Sequence, residues 1–175
     1  LVPRRMQNVL SGALAGALVV AALWSLPTIA HAFAMPAPLP ADFKPSIDIN
    51  ARTENGIAVI GYDLPGGRTL LPGAELPLTI YLAAEHKITE DYTIFVHLTD
   101  DSNNLLYQFD GIPFSGRHPT RQWKPGQRFA DSYLVKRTNT KPSGALATLI
   151  MGFYPADHPD ERVEFFDANG QRSGD

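Results

Sequence analysis

Apolar side chains at every second position recur along the chain after residue 46, and turn-forming residues separate these runs roughly every ten residues. Successive side chains of a β-strand point to opposite faces, so this alternation predicts strands that each bury one face. No stretch in this region sustains the longer apolar period of a helix. The spacing predicts an all-β domain, a sandwich or a barrel, and of the two we expect an immunoglobulin-like antiparallel β-sandwich of seven or eight strands.

The strongest local signal is a β-hairpin built from two apolar runs, Tyr92 to Leu98 and Leu105 to Phe109. Between them lies Asp100 to Asn104, a cluster of Asp, Ser and Asn. These side chains bond to their own backbone and tolerate positive φ, so they favour a tight turn. Both faces of the first run are largely apolar, and we therefore expect that strand to lie centrally in its sheet.

The remaining predicted strands share the same alternation and are bounded by Gly, Pro, Asn or Asp. They are Ile47–Arg52, Gly56–Asp63, Glu75–Ala84, Phe129–Lys136, Leu146–Tyr154 and Arg162–Phe166. In the first of these, Ile47 and Ile49 are expected on one face. The predicted domain covers residues 46–170, and the polar tail 171–175 is expected to fray.

The amino terminus has the composition of a membrane-targeting leader. Arg4 and Arg5 precede an apolar run over residues 9–26, and segment 27–32 supplies a helix breaker and small residues, as in a signal peptide cleaved after Ala32. The alternative is a single transmembrane anchor, because eighteen helical residues span about 27 Å, close to the ~30 Å hydrocarbon core. Either case places the rest of the chain on the periplasmic, extracytoplasmic side of a bacterial inner membrane.

A proline-rich segment, residues 33–45, follows the leader of residues 1–32. Pro36, Pro38 and Pro40 stand at alternate positions. Such spacing blocks helix and central strand and favours an extended polyproline stalk of about 3.1 Å per residue. We interpret it as a linker between membrane and domain, with a docking motif as the alternative.

Charge and cysteine content limit the possible chemistry. The net charge is −3, and removing Arg4 and Arg5 leaves 13 basic against 18 acidic residues, a net of −5. A nucleic-acid partner is therefore not expected, because no basic face is available to neutralise phosphates. The chain has no cysteine, which excludes disulfides, thiolate catalysis and cysteine-ligated metals.

No catalytic, cofactor-binding or metal-binding residues are predicted. None of the five histidines forms a metal-ligand pair at short spacing. His97, flanked by apolar residues, is expected to be a core histidine bonded to a carbonyl or carboxylate, with a ligand or base as the alternative. Asp100 and Asp101 lack the spacing of a calcium loop, and their turn position explains them. Asp110 and Asp131 are expected to cap turns or to pair with an arginine.

Aromatic residues raise the possibility of a ligand or partner surface. Trp123 stands between polar neighbours, and with Arg121, His118 and Tyr107 it forms the candidate surface. Exposed aromatics in sandwich modules stack on sugar rings, whereas buried ones supply core area. Both interpretations of Trp123, a glycan platform and a core residue, stay open at this point.

Several short motifs are spread over residues 57–170. They are Gly61-Tyr62-Asp63, Pro72-Gly73, Leu78 to Leu82, Asp91 to Leu98, Asp110, Pro113, Gly116 to Thr120, Trp123, Pro125-Gly126, Asp131, Tyr133 and Gly152 to Tyr154. Together they resemble the small extracytoplasmic β-sandwich domain of bacterial glycosyltransferase-39-like membrane proteins. In those proteins catalysis belongs to the multi-spanning part, so the resemblance implies a fold and a location but no activity. The sequence departs from the pattern at Asn139 to Gly144.

These observations favour a non-catalytic accessory or structural subunit without a cofactor. Its leader, through residues 9–26, and its domain are expected to pack on an integral-membrane protein complex, such as an energy-transducing or glycan-assembly complex. Two alternatives remain. A cell-envelope carbohydrate-binding module would depend on Trp123, and a small hydrolase would depend on the unpaired acids and histidines.

Overall fold

The computed structural model describes residues 36–69, 74–138 and 146–173. Over these residues the chain forms an antiparallel eight-stranded sheet that curls into a half-barrel. The strands are β1 (Ile47–Thr53), β2 (Ile57–Asp63), β3 (Leu76–Ala84), β4 (Tyr92–Asp100), β5 (Leu105–Gly111), β6 (Arg128–Arg137), β7 (Ala147–Pro155) and β8 (Phe165–Phe166). Two short 3₁₀ segments, Pro113–Gly116 and Thr120–Gln122, lie between β5 and β6. The prediction of an all-β antiparallel domain is confirmed.

The strand order is β7-β4-β5-β6-β3-β2-β1-β8. β4 pairs with β7 on one side and β5 on the other, so the predicted hairpin and the inner position of its first strand are confirmed. The described β5–β6 ladder has two residue pairs, Tyr107 with Arg137 and Gln108 with Lys136, and the N–H of Thr138 extends it with a bond to the carbonyl of Leu106 at 2.9 Å. This short seam separates a three-stranded part, β7-β4-β5, from a five-stranded part, β6-β3-β2-β1-β8.

The core lies on the concave side of the curled sheet. Ile80 of β3, Val96 of β4 and Val135 of β6 are fully buried there, and Phe153 of β7 is 1% exposed. These residues come from both parts of the sheet, so one core holds the two parts together. The alternation predicted for β3 is confirmed, since Leu76, Leu78, Ile80 and Leu82 are all buried.

Strand β1 departs from the predicted alternation. Its register against β2 shifts between Asp48 and Ala51, and Asn50 between them has a φ of 55°. A β-bulge of this kind inserts an extra residue and breaks the alternation of side chains where it occurs. Ile49 is therefore 36% exposed, and Ala51 is buried in its place. The predicted strand is therefore present, but Ile47 is half-buried while Ile49 is exposed.

Strand β8 is shorter than the predicted strand Arg162–Phe166. Only Phe165 and Phe166 pair with β1. The backbone N–H of Val163 instead donates to the carbonyl of Phe153, at 2.9 Å. The chain before β8 therefore lies beside the end of β7 before it reaches β1.

The described part of the proline-rich segment lies against the domain. The N–H of Leu39 donates to the carbonyl of Arg128 at 3.0 Å, and Arg128 Nη1 donates to the carbonyl of Pro40 at 3.0 Å. The ring of Phe43 lies 4.5 Å from that of Tyr81, between centroids. Residues 36–45, the described part of the predicted linker, are thus fastened to β3 and β6.

The predicted signal peptide or N-terminal helix falls in residues 1–35, outside the described residues. The loop Asn139 to Gly144, where the sequence departs from the resembling domain, also falls outside them. Within the described ranges no helix has the length and apolar character needed to cross a membrane.

Candidate functional site

The four residues of the predicted ligand surface do not form one exposed surface. Trp123 and Tyr107 are 2% exposed and His118 is 1% exposed, whereas Arg121 is exposed. The hydroxyl of Tyr107 donates to the carbonyl of Ala74 at 2.9 Å, which anchors it in the core. The structure therefore corrects the surface placement of Trp123, His118 and Tyr107 and selects the core interpretation of Trp123.

Trp123 and His118 belong to a buried aromatic cluster. Trp123 packs on Phe129 with ring centroids 5.0 Å apart, and Phe114 meets Phe129 edge-on at 5.5 Å. The indole N–H of Trp123 donates to the carbonyl of His118 at 3.0 Å. Because the indole has its partner inside the protein, it is a structural anchor for the connection between β5 and β6.

Asp131 holds the strained beginning of that connection. Phe114 and Ser115 have φ of 57° and 55°, a region that non-glycine residues rarely adopt. The buried carboxylate of Asp131 accepts a hydrogen bond from the N–H of Phe114, at 2.6 Å, and another from the hydroxyl of Tyr133. Burial raises the pKa of Asp131 and, with the adjacent carboxylate, that of Tyr133. Asp131 therefore anchors a turn through the N–H of Phe114, which is one of the two roles expected for it from the sequence.

The end of the same connection is fastened to the start of β4. The hydroxyl of Thr120 donates to the carbonyl of Glu90 and accepts from the N–H of Tyr92, both at 2.9 Å. Arg121 Nη2 lies 2.5 Å from Asp91 Oδ2, and its backbone N–H donates to the same carboxylate. Arg121 is thus engaged in an ion pair with Asp91, a carboxylate from the set singled out in the sequence.

His118 is a buried imidazole in an apolar environment. Neither ring nitrogen has a hydrogen-bond partner of good geometry among the described residues, although the side chain of Gln122 is near enough to favour the charged form. Burial dominates and lowers the pKa of His118. The neutral form is therefore the one that suits this cluster.

A second group of aromatic and polar side chains lies on the convex face of β4, opposite the core. His97 Nε2 is 3.2 Å from Asp110 Oδ2, and the amide of Gln108 donates to the same oxygen at 2.6 Å. The side chains of His97 and Asp110 are 23% and 27% exposed. The predicted carboxylate partner of His97 is confirmed, but its ring lies on the convex face and not in the core.

Three side chains next to this group form what we call the Arg162 face: Phe95, Tyr154 and Arg162. The rings of Phe95 and Tyr154 are nearly parallel with centroids 6.3 Å apart. The guanidinium carbon of Arg162 lies 4.3 Å from the centroid of Phe95 and 4.9 Å from that of Tyr154. A cation over two rings is attracted by their negative faces, so the exposed Arg162 is held in a defined position.

Gly152 makes room for this arrangement. It stands opposite Phe95 in the β4–β7 register. A Cβ at this position would lie 2.5 Å from Cζ of Phe95. Phe95 can therefore lie flat across β7 only because its neighbour there is glycine.

Beside Arg162 lies an open cleft of about 230 Å³. Its lining is mostly polar and consists of Glu54, Asn55, Pro155, Glu161, Arg162, Val163 and Glu164. The amide of Asn55, one of the lining residues, donates to the hydroxyl of Tyr92 at 2.7 Å, which holds Asn55 against the start of β4. No three metal-ligating side chains come together anywhere in the described ranges.

The Asp100 turn is explained by local bonds. Asp100 Oδ1 accepts from the N–H groups of Ser102 and Asn104, at 2.9 and 2.8 Å, and Asn103 has a φ of 61°. These bonds lower the pKa of Asp100, the bond from the Asn104 side chain most of all. The carboxylate closes the hairpin as predicted from its position.

Sequence reasoning did not single out Arg162, Phe95 or Tyr154 as a group. Arg162 follows a polar stretch without a local motif, and only the fold brings it over two strands. Comparisons with protein-family models, with curated proteins and with solved structures found no match. Any account of function therefore depends on the residues of this chain.

Proposed function

We propose that this protein is a non-catalytic, membrane-anchored accessory subunit whose extracytoplasmic domain docks on an integral-membrane protein complex through the Arg162 face. In finer detail we propose that the domain is an immunoglobulin-like two-layer sandwich, as its resemblance to the domain of glycosyltransferase-39-like membrane proteins implies. The observation that carries the docking proposal is the exposed cation stacked on two aromatic rings.

The chemistry of the Arg162 face suits a protein partner. Arginine and aromatic side chains are enriched at protein interfaces and supply most of the binding energy there. Among the described residues no carboxylate lies within ion-pair distance of Arg162, so its guanidinium is free to meet a partner's carboxylate or carbonyl. Stacking on Phe95 and Tyr154 also orients the group in advance, which reduces the entropy lost on binding.

The fastened proline-rich segment supports a partner close to the membrane. Because residues 36–45 lie along the domain, only residues 27–35 separate it from the apolar run. Nine residues reach at most about 30 Å when fully extended. If the apolar run is an anchor, the domain stays within that reach of the bilayer, where an integral-membrane protein presents its extracytoplasmic surface.

Purification of the tagged full-length chain from detergent-extracted native membranes tests the proposal. We expect the wild type to bring down an integral-membrane protein in fixed stoichiometry, and Arg162→Ala to lose it. Lys136→Ala, an exposed change on β6, is the matched control that should retain it. A wild-type chain that purifies alone, or a complex unaffected by Arg162→Ala, would contradict the docking proposal.

The carbohydrate-binding alternative stays a prediction without a supporting observation among the described residues. Trp123, which carried it, is buried and donates its N–H inside the protein. Replacing Trp123 would disturb the core and would not report on glycan binding. A glycan array probed with the full chain, with Tyr154→Ala as the control variant, tests the alternative directly.

A further inference from the structure

The outer edge of β7 is open from Ala147 to Met151 in the described structure, and beyond this part the carbonyl of Phe153 is bonded to the N–H of Val163. β7 (Ala147–Pro155) pairs along its whole length with β4, from Tyr92 with Pro155 to Asp100 with Ala147. It is the terminal strand of the sheet, and no described strand pairs with its other side. An edge of this length presents a row of backbone groups to which another strand can bond.

The backbone geometry identifies which groups face outward. The carbonyl of Phe153 accepts from Val163, so it points away from β4. In an antiparallel strand the N–H and C=O of one residue point to the same side, and the side alternates along the chain. The β4–β7 register is unbroken, so Ala147, Leu149 and Met151 also point their N–H and C=O groups to the open edge.

This edge lacks the features that usually prevent strand pairing. Residues 146–155 contain no charged side chain, and no proline precedes Pro155. Leu146 is 79% exposed and Ile150 is 39% exposed. At the opposite end of the sheet, β8 has two residues and is flanked by the ion pair of Arg172 with Glu164 at 3.1 Å. Within the ranges that the structure describes, one edge of the sheet is therefore protected and the other is open.

We propose that β7 pairs antiparallel with β7 of a second copy of this chain, across a two-fold axis at Leu149. In that register Leu149 pairs with Leu149 of the second copy, and Ala147 of each copy pairs with Met151 of the other. Every outward N–H and C=O of these three residues then has a partner. The two three-stranded parts become one continuous sheet across the interface.

The side chains of β7 favour a second copy over another strand. On the convex face Thr148 lies opposite Ile150 of the second copy, a β-branched pair of the kind that stabilises sheets. On the concave face the partly exposed Leu149 and Met151 gain cover beside the core. A charged peptide would find no opposite charge on this strand, whereas the strand's own uncharged sequence matches itself.

Because the chain has no cysteine, one introduced thiol reports on the register. Hydrogen-bonded antiparallel partners have Cα atoms about 5.5 Å apart, within the range that a disulfide spans. Under mild oxidation we expect full-length Leu149→Cys to form an intermolecular disulfide rapidly. Ser102→Cys, at the exposed hairpin tip, should form none at the same concentration.

Sedimentation of the full-length chain in detergent provides the second measurement. We expect a dimer for the wild type and for Ile150→Thr, and a monomer for Ile150→Lys, because the two like charges would be diagonal neighbours on the convex face across the axis. Circular dichroism checks that each variant keeps its strands. A wild-type monomer at the highest concentration reached would overturn the proposal. So would a dimer that survives Ile150→Lys without Leu149→Cys cross-linking, since that dimer would be joined elsewhere.

Discussion

The convex faces of β3 and β4 carry similar aromatic residues but are covered differently. On β3, the ring of Tyr81 lies under Phe43, its hydroxyl donates to Asp63 at 2.6 Å, and it is 8% exposed. On β4, Phe95 is covered by the single side chain of Arg162 and remains partly exposed. One face is closed by a distant segment of the chain, whereas the described residues leave the other partly exposed.

Alternation of apolar and polar side chains alone therefore does not identify a solvent-facing surface. The outward positions of both strands include threonine and an aromatic residue, Thr79 and Tyr81 on β3 and Thr93 and Phe95 on β4. A segment distant in sequence, residues 36–45, decides that the β3 face is buried. The β4 face has no such segment among the described residues.

The largest expected effect tests whether both faces share one core. The variant Val96→Asp places a carboxylate at a fully buried position on the core side of β4. An unpaired buried charge costs several kcal/mol against a total stability of roughly 5 to 15 kcal/mol, so the whole domain should unfold. Circular dichroism should show loss of all strands. Leu134→Asp, at a position 52% exposed on β6, is the control that should leave the melting temperature nearly unchanged.

The next effect tests the support beneath Phe95. Gly152→Ala places a methyl group 2.5 Å from Cζ of Phe95, so the ring must move off β7. We expect a loss of about 1 to 3 kcal/mol in the free energy of unfolding, measured by urea denaturation. In the double variant Phe95→Ala, Gly152→Ala most of the added cost should disappear. Equal costs of Gly152→Ala in both backgrounds would contradict the contact.

A smaller effect compares the stability contributed by Phe43, which lies over Tyr81, with that contributed by Arg162, which lies over Phe95. Phe43→Ala uncovers Tyr81, and we expect it to reduce the free energy of unfolding by about 1 to 2 kcal/mol, since aromatic burial and an aromatic pair are lost. Arg162→Ala should cost less than about 1 kcal/mol, as expected for an exposed cation–π contact. Urea denaturation of both variants decides the order. A larger cost for Arg162→Ala than for Phe43→Ala would mean that the Arg162 face has a structural role. That result would contradict its assignment as a docking surface.

The smallest effect on stability at neutral pH concerns His118, whose ring is 1% exposed. Its folded-state pKa is lowered from 6.5 by burial, so the folded protein binds fewer protons than the unfolded chain in the acidic range. The contribution is fully present above pH 6.5 and is lost as the pH falls below it. His118→Leu should flatten the dependence of stability on pH in this window. An unchanged dependence on pH in His118→Leu would contradict this assignment.

The contact between Tyr81 and Asp63 predicts a change in stability at high pH. Burial and the bond to Asp63 raise the pKa of Tyr81 to about 12, above its ordinary value of 10.0. The folded state therefore keeps the phenolic proton longer than the unfolded chain, and the associated stability is lost as pH rises through this interval. Asp63→Asn should reduce the raised pKa, which the ultraviolet titration of tyrosine measures. An unchanged titration would contradict the contact on the β3 face.

The sequence alone determined the strands and the hairpin, because these follow from neighbouring residues. Alternation places Leu78 and Ile80 on one face of β3, and Asp100 closes its turn with bonds to residues that follow it directly. The bulge at Asn50 was not predicted, since it depends on pairing with β2. The polar neighbours of Trp123 left its position open between surface and core, and only the fold shows that it is buried.

Tertiary structure decided what each face does. The burial of Trp123 and His118, the cover of Tyr81 by Phe43 and the position of Arg162 over Phe95 all join residues far apart in the chain. Local propensity carries no information about such contacts, because they form only when the sheet brings distant segments together. The physical reason is that strand formation depends on side-chain order along the chain, whereas exposure depends on which segment covers the finished sheet.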